Sequence, residues 1–385
     1  MELCGGAARL GSLHTALRNV TINFSLFDAS AAKDLWSARP LLGRPRPGAL
    51  RLSCGEADCR RIAGAYERSQ LHPLLLALRG RRRAGRAPPL RDEVAVLVLA
   101  DYPNLFHQIG SLVGAYAALL EAGLAHTSAS RLRVFLLGDA SLSPTAALWS
   151  PGLAASPPRF VRASPPPPPL TFAHAVLAPP ATEFWWWHVW SAERADRSAL
   201  FARLRQRILA ALRLSPPPPP PRLVLLLQRP HGSDRRLLNE AALAAALGEA
   251  LAPRGLRVAL EDLARKSTRE QLRLLQTVGV LLGVHGAGLA WNLFLPERSL
   301  VVELLNARCA NEYYANQCRW THRPYVSWQN NRTEREVAAT DASGNPLDPF
   351  RNHLRADVPA VVQLVERNLP HMSTSRGTSS LVRRR

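Results

Sequence analysis

Lysine is almost missing from this chain. Only Lys33 and Lys266 occur among 385 residues, so arginine carries nearly all the positive charge behind a formal net charge of +20. A P-loop nucleotide site needs a lysine directly after its glycine loop, and neither lysine has one. The arginines are scattered, apart from Arg81–Arg83 and Arg383–Arg385. Arg, Ala and Pro are abundant together, as a GC-rich gene would produce. No nucleic-acid partner is therefore expected. A positive field still favours small anionic substrates such as nucleotides.

Cysteine is sparse as well. Cys4, Cys54, Cys59, Cys309 and Cys318 make an odd count, so at least one thiol has no partner within the chain. Cys54 and Cys59 lack C-x-x-C spacing, and Cys309 with Cys318 and His322 is a poor zinc pattern. One or two disulfides fit a secreted chain. The sequons at Asn19, Asn23 and Asn331 weigh little, because such triplets are frequent by chance. No apolar run approaches the roughly 18 residues that span a bilayer. The N-terminus lacks a charged segment followed by an apolar one. The chain as written has neither signal nor anchor, and a truncated chain or a missing first exon is expected. There is no G-x-S-x-G elbow, which excludes an α/β-hydrolase. There is no Asp-x-Asp pair in the expected place, so metal-independent chemistry is expected.

What is present centres on Val278–Asn306, VGVLLGVHGAGLAWNLFLPERSLVVELLN. The pattern predicts a strand at Val278–Leu282, a glycine turn, one or two helical turns at Leu289–Leu295 stopped by Pro296, and a strand at Ser299–Leu305. A glycine turn that opens a helix after a strand presents amides and the positive helix end, which suits phosphate. Trp291 stands where a G-x-G-x-x-G motif has its last glycine, so the motif alone is weak.

The rest alternates strands and helices. Strands are predicted at Glu93–Ala100, Arg131–Leu137, Arg222–Gln228 and Leu256–Leu260. Helices are predicted at Gln108–Ala122, Ser198–Leu212, Leu237–Leu251 and Thr268–Thr277. Asp101–His107 reads as a loop. The alternation means parallel α/β units, whose ligands lie beyond the carboxyl ends of the strands. His107 and Asp139 both fall there. Pro165–Pro169 and Pro216–Pro221 read as stiff extended spacers. Between them, Phe184–Trp190 is either a sugar-stacking surface or buried packing. The expected division is an irregular region at 1–90 attached to the first domain, an α/β domain at 91–215, a second α/β domain at 216–345, a helical segment at 346–370 and a disordered basic tail at 371–385.

Three segments together resemble the catalytic domain of glycosyltransferase family 61. These are Asn104-Leu105-Phe106-His107, similar to an N-x-x-H before a helix; Gln228–Leu243, similar to a strand-ending arginine followed by R-x-L-x-N-E; and the glycine turn, similar to G-x-H-G-A-G-L with L-F-L-P and V-V-E after it. The resemblance covers roughly residues 90–330. It implies an α/β fold of GT-B type, with two facing Rossmann-like domains and a cleft between them. It further implies an inverting transfer from a UDP-sugar, xylose or N-acetylglucosamine, to a glycan or glycoprotein hydroxyl in the Golgi or endoplasmic reticulum lumen. No cofactor beyond the donor is implied.

The residues fit that chemistry. The departing nucleoside diphosphate needs its charge stabilised. Arg229 and Arg236 are suited to bidentate phosphate pairing, with Gly286, Ala287, Gly288 and Leu289 supplying turn amides. His285 either contacts phosphate or sugar, or ties the turn together. Asn239 and Glu240 either contact uracil or ribose, or cap a helix. Glu303 is expected to face the cleft and accept from ribose hydroxyls. Inversion needs a base: His107 first, then Asp139, then Asp101. Many relatives carry an acid four residues after the N-x-x-H histidine, where this chain has Ser111. The alternative is therefore a catalytically weak or inactive member that binds nucleotide sugar or glycan.

Overall fold

The structure is a computed structural model. It describes residues 2–3, 8–10, 15–27, 46–47, 49–52, 56–64, 75, 78–80, 89–99, 104–137, 145–160, 168–178, 181, 185–187, 195–214 and 221–369. It is a mixed α/β protein with two large sheets.

The first sheet contains β1 (Glu2–Leu3), β2 (Ala8–Leu10), β3 (Thr15–Ile22), β4 (Leu50–Leu52), β5 (Leu78–Gly80), β6 (Leu90–Leu99), β7 (Leu132–Leu137), β8 (Arg159–Phe160) and β9 (Leu170–Ala178). The main order is β1-β2-β3-β9-β6-β7-β8, with β4 joining β3 to β5. Strands β9, β6, β7 and β8 run parallel. Strand β3 adds antiparallel to β9. Among the described residues, those of 1–90 supply five strands and helix α1 (Glu56–Gly64), where an irregular region was expected. The strand at Thr15–Ile22 is hard to read because Arg18 and Asn19 are both exposed between buried Leu17 and Val20. Asn19 takes a φ of 51°, which breaks the simple alternation.

Strand β6 is buried on both faces. Val94, Val96 and Val98 pack toward helix α2 (Leu105–Glu121), while Ala95, Leu97 and Leu99 pack toward β3 and α1. Helix α2 begins three residues earlier than the apolar pattern predicts. Asn104 takes extended backbone angles and its side chain accepts from the His107 amide at 3.2 Å, a regular N-cap. His107 therefore lies in the first helical turn, not in a loop.

Helix α3 (Ser198–Ala211) leads to the second sheet. This holds β10 (Leu223–Leu227), β11 (Arg257–Glu261), β12 (Val278–Val284), β13 (Leu300–Leu305) and β14 (Tyr325–Gln329), all parallel. Helices α4 (Glu240–Leu251), α5 (Thr268–Leu275) and α6 (Tyr313–Trp320) connect them. The strand order is β11-β10-β12-β13-β14. Central strands β12 and β13 are buried on both faces, which accounts for their unbroken apolar runs. Leu237 and Leu238, expected in the helix, instead pair with a late strand: the Leu238 amide donates to Leu354 O at 2.8 Å. Helix α4 accordingly starts at Glu240. A short β15–β16 pair (Glu336–Val337, His353–Leu354) and helix α7 (Val358–Asn368) close this side.

One apolar core runs continuously from α2 and the face of β6 into β10, β12 and the turn after it. Trp185 and Trp186 are buried in it, and Trp185 lies edge-on to Trp320 at 4.7 Å. Packing is thus the reading the structure supports for those two rings. No helix among the described residues is long and apolar enough to cross a membrane.

Candidate functional site

The order of the second sheet reverses between β10 and β12: the chain leaves β10 for β11 on one side and returns to β12 on the other. Loops at such a reversal splay apart and leave a crevice. A cleft of about 250 Å³ lies there. Its walls are Leu227–Pro230 after β10, Asp262–Ala264 after β11, and Val284 and Gly286–Leu289 at the end of β12. Asn104 and Leu105, at the start of α2, also line it, so that helix contributes one edge.

Arg229 is the cation of this cleft. Its Nη2 donates to Asp234 Oδ1 at 2.9 Å. Burial lowers its pKa, Arg235 adds to that, and Asp234 opposes it. Its Nε is buried without a hydrogen-bond partner among the described residues. Asp234 organises the loop: its Oδ2 also accepts from Arg351 Nε at 2.6 Å. Burial disfavours the Asp234 carboxylate, but Arg235, Arg351 and Arg229 prevail and hold its pKa below the usual value. Sequence reasoning missed Asp234. Its signal was a lone acid within an arginine-rich loop, QRPHGSDRR.

The glycine turn meets Arg229 directly. A Cβ on Gly286 would collide with Nη1 of Arg229. Gly286 has extended backbone angles, so close approach is what requires glycine there, not an unusual φ. Its carbonyl accepts from the Tyr314 hydroxyl at 2.6 Å and from the Leu289 amide at 2.9 Å. The 3-10 helix Ala287–Phe294 follows. The amides of Ala287 and Gly288 precede its first i→i−3 bond and so have no carbonyl within the helix to bind. A guanidinium and two turn residues with unengaged helical amides therefore line the same cleft, the kind of donor set that an oxyanion needs.

The other expected site residues are placed differently. His285 and Glu303 lie behind the turn. Nδ1 of His285 is 2.5 Å from Oε1 of Glu303, and Oε2 of Glu303 accepts from the Tyr325 hydroxyl at 2.6 Å. Glu303 has no solvent exposure and both its oxygens are engaged, so it does not face the cleft. The strand is buried on both faces, and the pair fills the interior instead. Asn239 is committed to Ala356 through both ends of its amide, each at 2.9 Å. Arg236 joins the late strand through its backbone, its N–H donating to His353 Nδ1 at 3.2 Å. Glu240 accepts from Gln228 Nε2 at 2.5 Å, behind the cleft wall. None of these three lines the cleft. His107 is buried beside Phe106 and Trp187, one turn away from the cleft-lining Asn104. Asp139 and Asp101 lie outside the described residues.

Asp262, Gln271, Ser233 and Trp291 line the cleft and were not among the expected ligands. Cys59, Cys309 and Cys318 are buried. Among the described residues, no three His, Cys, Asp or Glu side chains group as metal ligands.

Residues 180–302 match the family Glycosyltransferase 61. A 113-residue segment is 34% identical to Protein O-linked-mannose beta-1,4-N-acetylglucosaminyltransferase 2 of Xenopus laevis, covering 28% of this chain and 19% of that protein. The Homo sapiens protein of the same name is 32% identical over 109 residues, 27% of this chain and 18% of the relative. The Danio rerio protein is 30% identical over 114 residues, at 28% and 19%. The matched segment thus spans about a fifth of each relative's length. The family match holds Arg229 and the entire glycine turn but not Asn104 or His107. Residues 180–302 are thus where this chain is similar to glycosyltransferase family 61.

Proposed function

We propose that this protein is an inverting glycosyltransferase of GT-B architecture that moves a sugar from a UDP-sugar to a hydroxyl of a glycan or glycoprotein. N-acetylglucosamine is the preferred donor sugar, on the names of the relatives, and xylose is the alternative. The observation that carries the reading is the Arg229 guanidinium, with a partnerless buried Nε, set against the Gly286–Gly288 turn at the strand reversal. As the sugar leaves, negative charge grows on the β-phosphate. Arg229 and the Ala287 and Gly288 amides stabilise it without needing to reorganise. A divalent cation is not required in this scheme. His107 or Asp139 takes the acceptor proton. The protein then acts in the lumen of the secretory pathway.

Incubation with UDP-N-acetylglucosamine, an array of mannose-bearing acceptors and EDTA tests this. Transfer in the presence of chelator is expected. UDP release that needs added metal would overturn the metal-free scheme.

A second reading is a member that binds nucleotide sugar without turnover. It rests on Ser111, whose side chain is wholly buried in α2 where the family resemblance implies an acid. UDP binding with no transfer to any acceptor would favour it.

A further inference from the structure

Asp262 occupies the second wall of the cleft, away from the glycine turn. It is the first residue after β11, the strand beside β10 on the far side from β12. The two strands are in register at their ends, Leu227 opposite Glu261, and the Gln228 amide donates to Glu261 O at 2.9 Å. Neighbouring strands lie about 4.8 Å apart. Asp262 is therefore roughly two strand spacings, or about 10 Å, from the β12 turn. A ligand whose diphosphate rests on that turn and crosses β10 brings its ribose to β11.

The carboxylate is built in but not saturated. Oδ1 accepts from the Ala264 amide at 3.0 Å, which fixes the side chain as the cap of a short 3-10 turn, Leu263–Arg265. Oδ2 faces Arg265 at 3.3 Å, and the arginine is 81% exposed while Asp262 is 9% exposed. A carboxylate offers about four acceptor positions, so Oδ2 retains capacity for a vicinal diol. In dinucleotide-binding α/β sheets an acid likewise accepts from the ribose hydroxyls, there about 20 residues beyond the phosphate turn. Glu303 does not do this here, because His285 and Tyr325 already take both its oxygens.

We propose that Asp262 is the ribose-binding residue of this cleft and makes it selective for ribonucleotides. The proposal rests on the nucleoside diphosphate reading above. Calorimetric titration of the full chain with UDP and with 2′,3′-dideoxy-UDP tests both at once. The wild type is expected to prefer UDP by at least about tenfold, the worth of a hydrogen bond to a charged acceptor. Asp262→Ala is expected to reduce that ratio to near one, mainly by weakening UDP. Asp262→Asn retains the cap and the wild-type melting temperature, with an intermediate ratio. Equal wild-type affinities for the two nucleotides, or an equal loss for both in Asp262→Ala, would overturn the assignment of Asp262. Absence of any UDP binding by the wild type would overturn the nucleotide reading itself.

Discussion

Nδ1 of His285 sits 2.5 Å from Oε1 of Glu303, and both side chains are buried directly beneath the turn that carries Gly286. Burial opposes the imidazolium, but the Glu303 carboxylate and Cys309 beside it prevail and push the His285 pKa up to about 9. A group raised from 6.5 to about 9 on folding adds stability that is complete below pH 6.5 and is lost as pH rises through 9. Melting temperature is therefore expected to fall between pH 6.5 and 9. His285→Gln leaves Glu303 buried without its cation, and a loss of about 3–5 kcal/mol follows. The double variant H285Q/E303Q keeps a neutral hydrogen bond and should recover part of that loss with a flat profile over this range. A double variant that melts with the wild-type pH slope would show that another group titrates.

Arg229→Ala is expected to weaken UDP binding by about 1.5–3 kcal/mol, the range for a charge-assisted hydrogen bond. Arg229→Lys keeps the charge but not the planar fork, so it should recover only part of the affinity. Asp234→Asn leaves Arg229 in place but removes the carboxylate that orients it at 2.9 Å. It should weaken UDP by less than the arginine deletion. Calorimetry orders the three variants; UDP affinity unchanged in Arg229→Ala removes the phosphate assignment.

The strands that were legible in the sequence are those buried on both faces, such as Val278–Val284 and Leu300–Leu305, because continuous burial leaves an unbroken apolar run. The glycine turn and Arg229 were legible for a related reason: glycine and arginine each meet a specific steric or charge demand. The roles of Glu303, Asn239 and Asp262 were not. Each depends on what lies opposite across the fold: Tyr325 for Glu303, Ala356 for Asn239, and Gln228 beside the end of β11 for Asp262. No local pattern encodes such partners. The strand at Thr15–Ile22 was missed because Arg18 and Asn19 interrupt its apolar alternation.

His107→Ala tests the proton-acceptor role apart from nucleotide binding. His107 does not line the cleft, while Asn104, which caps its backbone amide, does. Turnover is expected to fall by roughly 10²–10⁴, the contribution of a general base, with UDP affinity near the wild-type value. Transfer at the wild-type rate would remove His107 from the mechanism and leave Asp139 as the next residue to substitute.

Two glycine substitutions with different expected readouts separate ligand binding from folding. Gly248 lies within α4, and a Cβ there meets nothing within 4 Å. Gly248→Ala should stabilise the protein by about 0.5–1 kcal/mol, because alanine loses less backbone freedom in a helix. Gly286→Ala places its methyl against Nη1 of Arg229, the far end of a flexible side chain. The guanidinium swings aside at small cost to folding, so the melting temperature should change little. The proposed phosphate site loses its cation, and UDP affinity should fall nearly as far as in Arg229→Ala. Because the methyl acts through the arginine, the pair G286A/R229A should bind UDP no more weakly than R229A alone. A double variant that loses both penalties in full would mean that the turn and the arginine act on UDP independently, and that their contact is incidental.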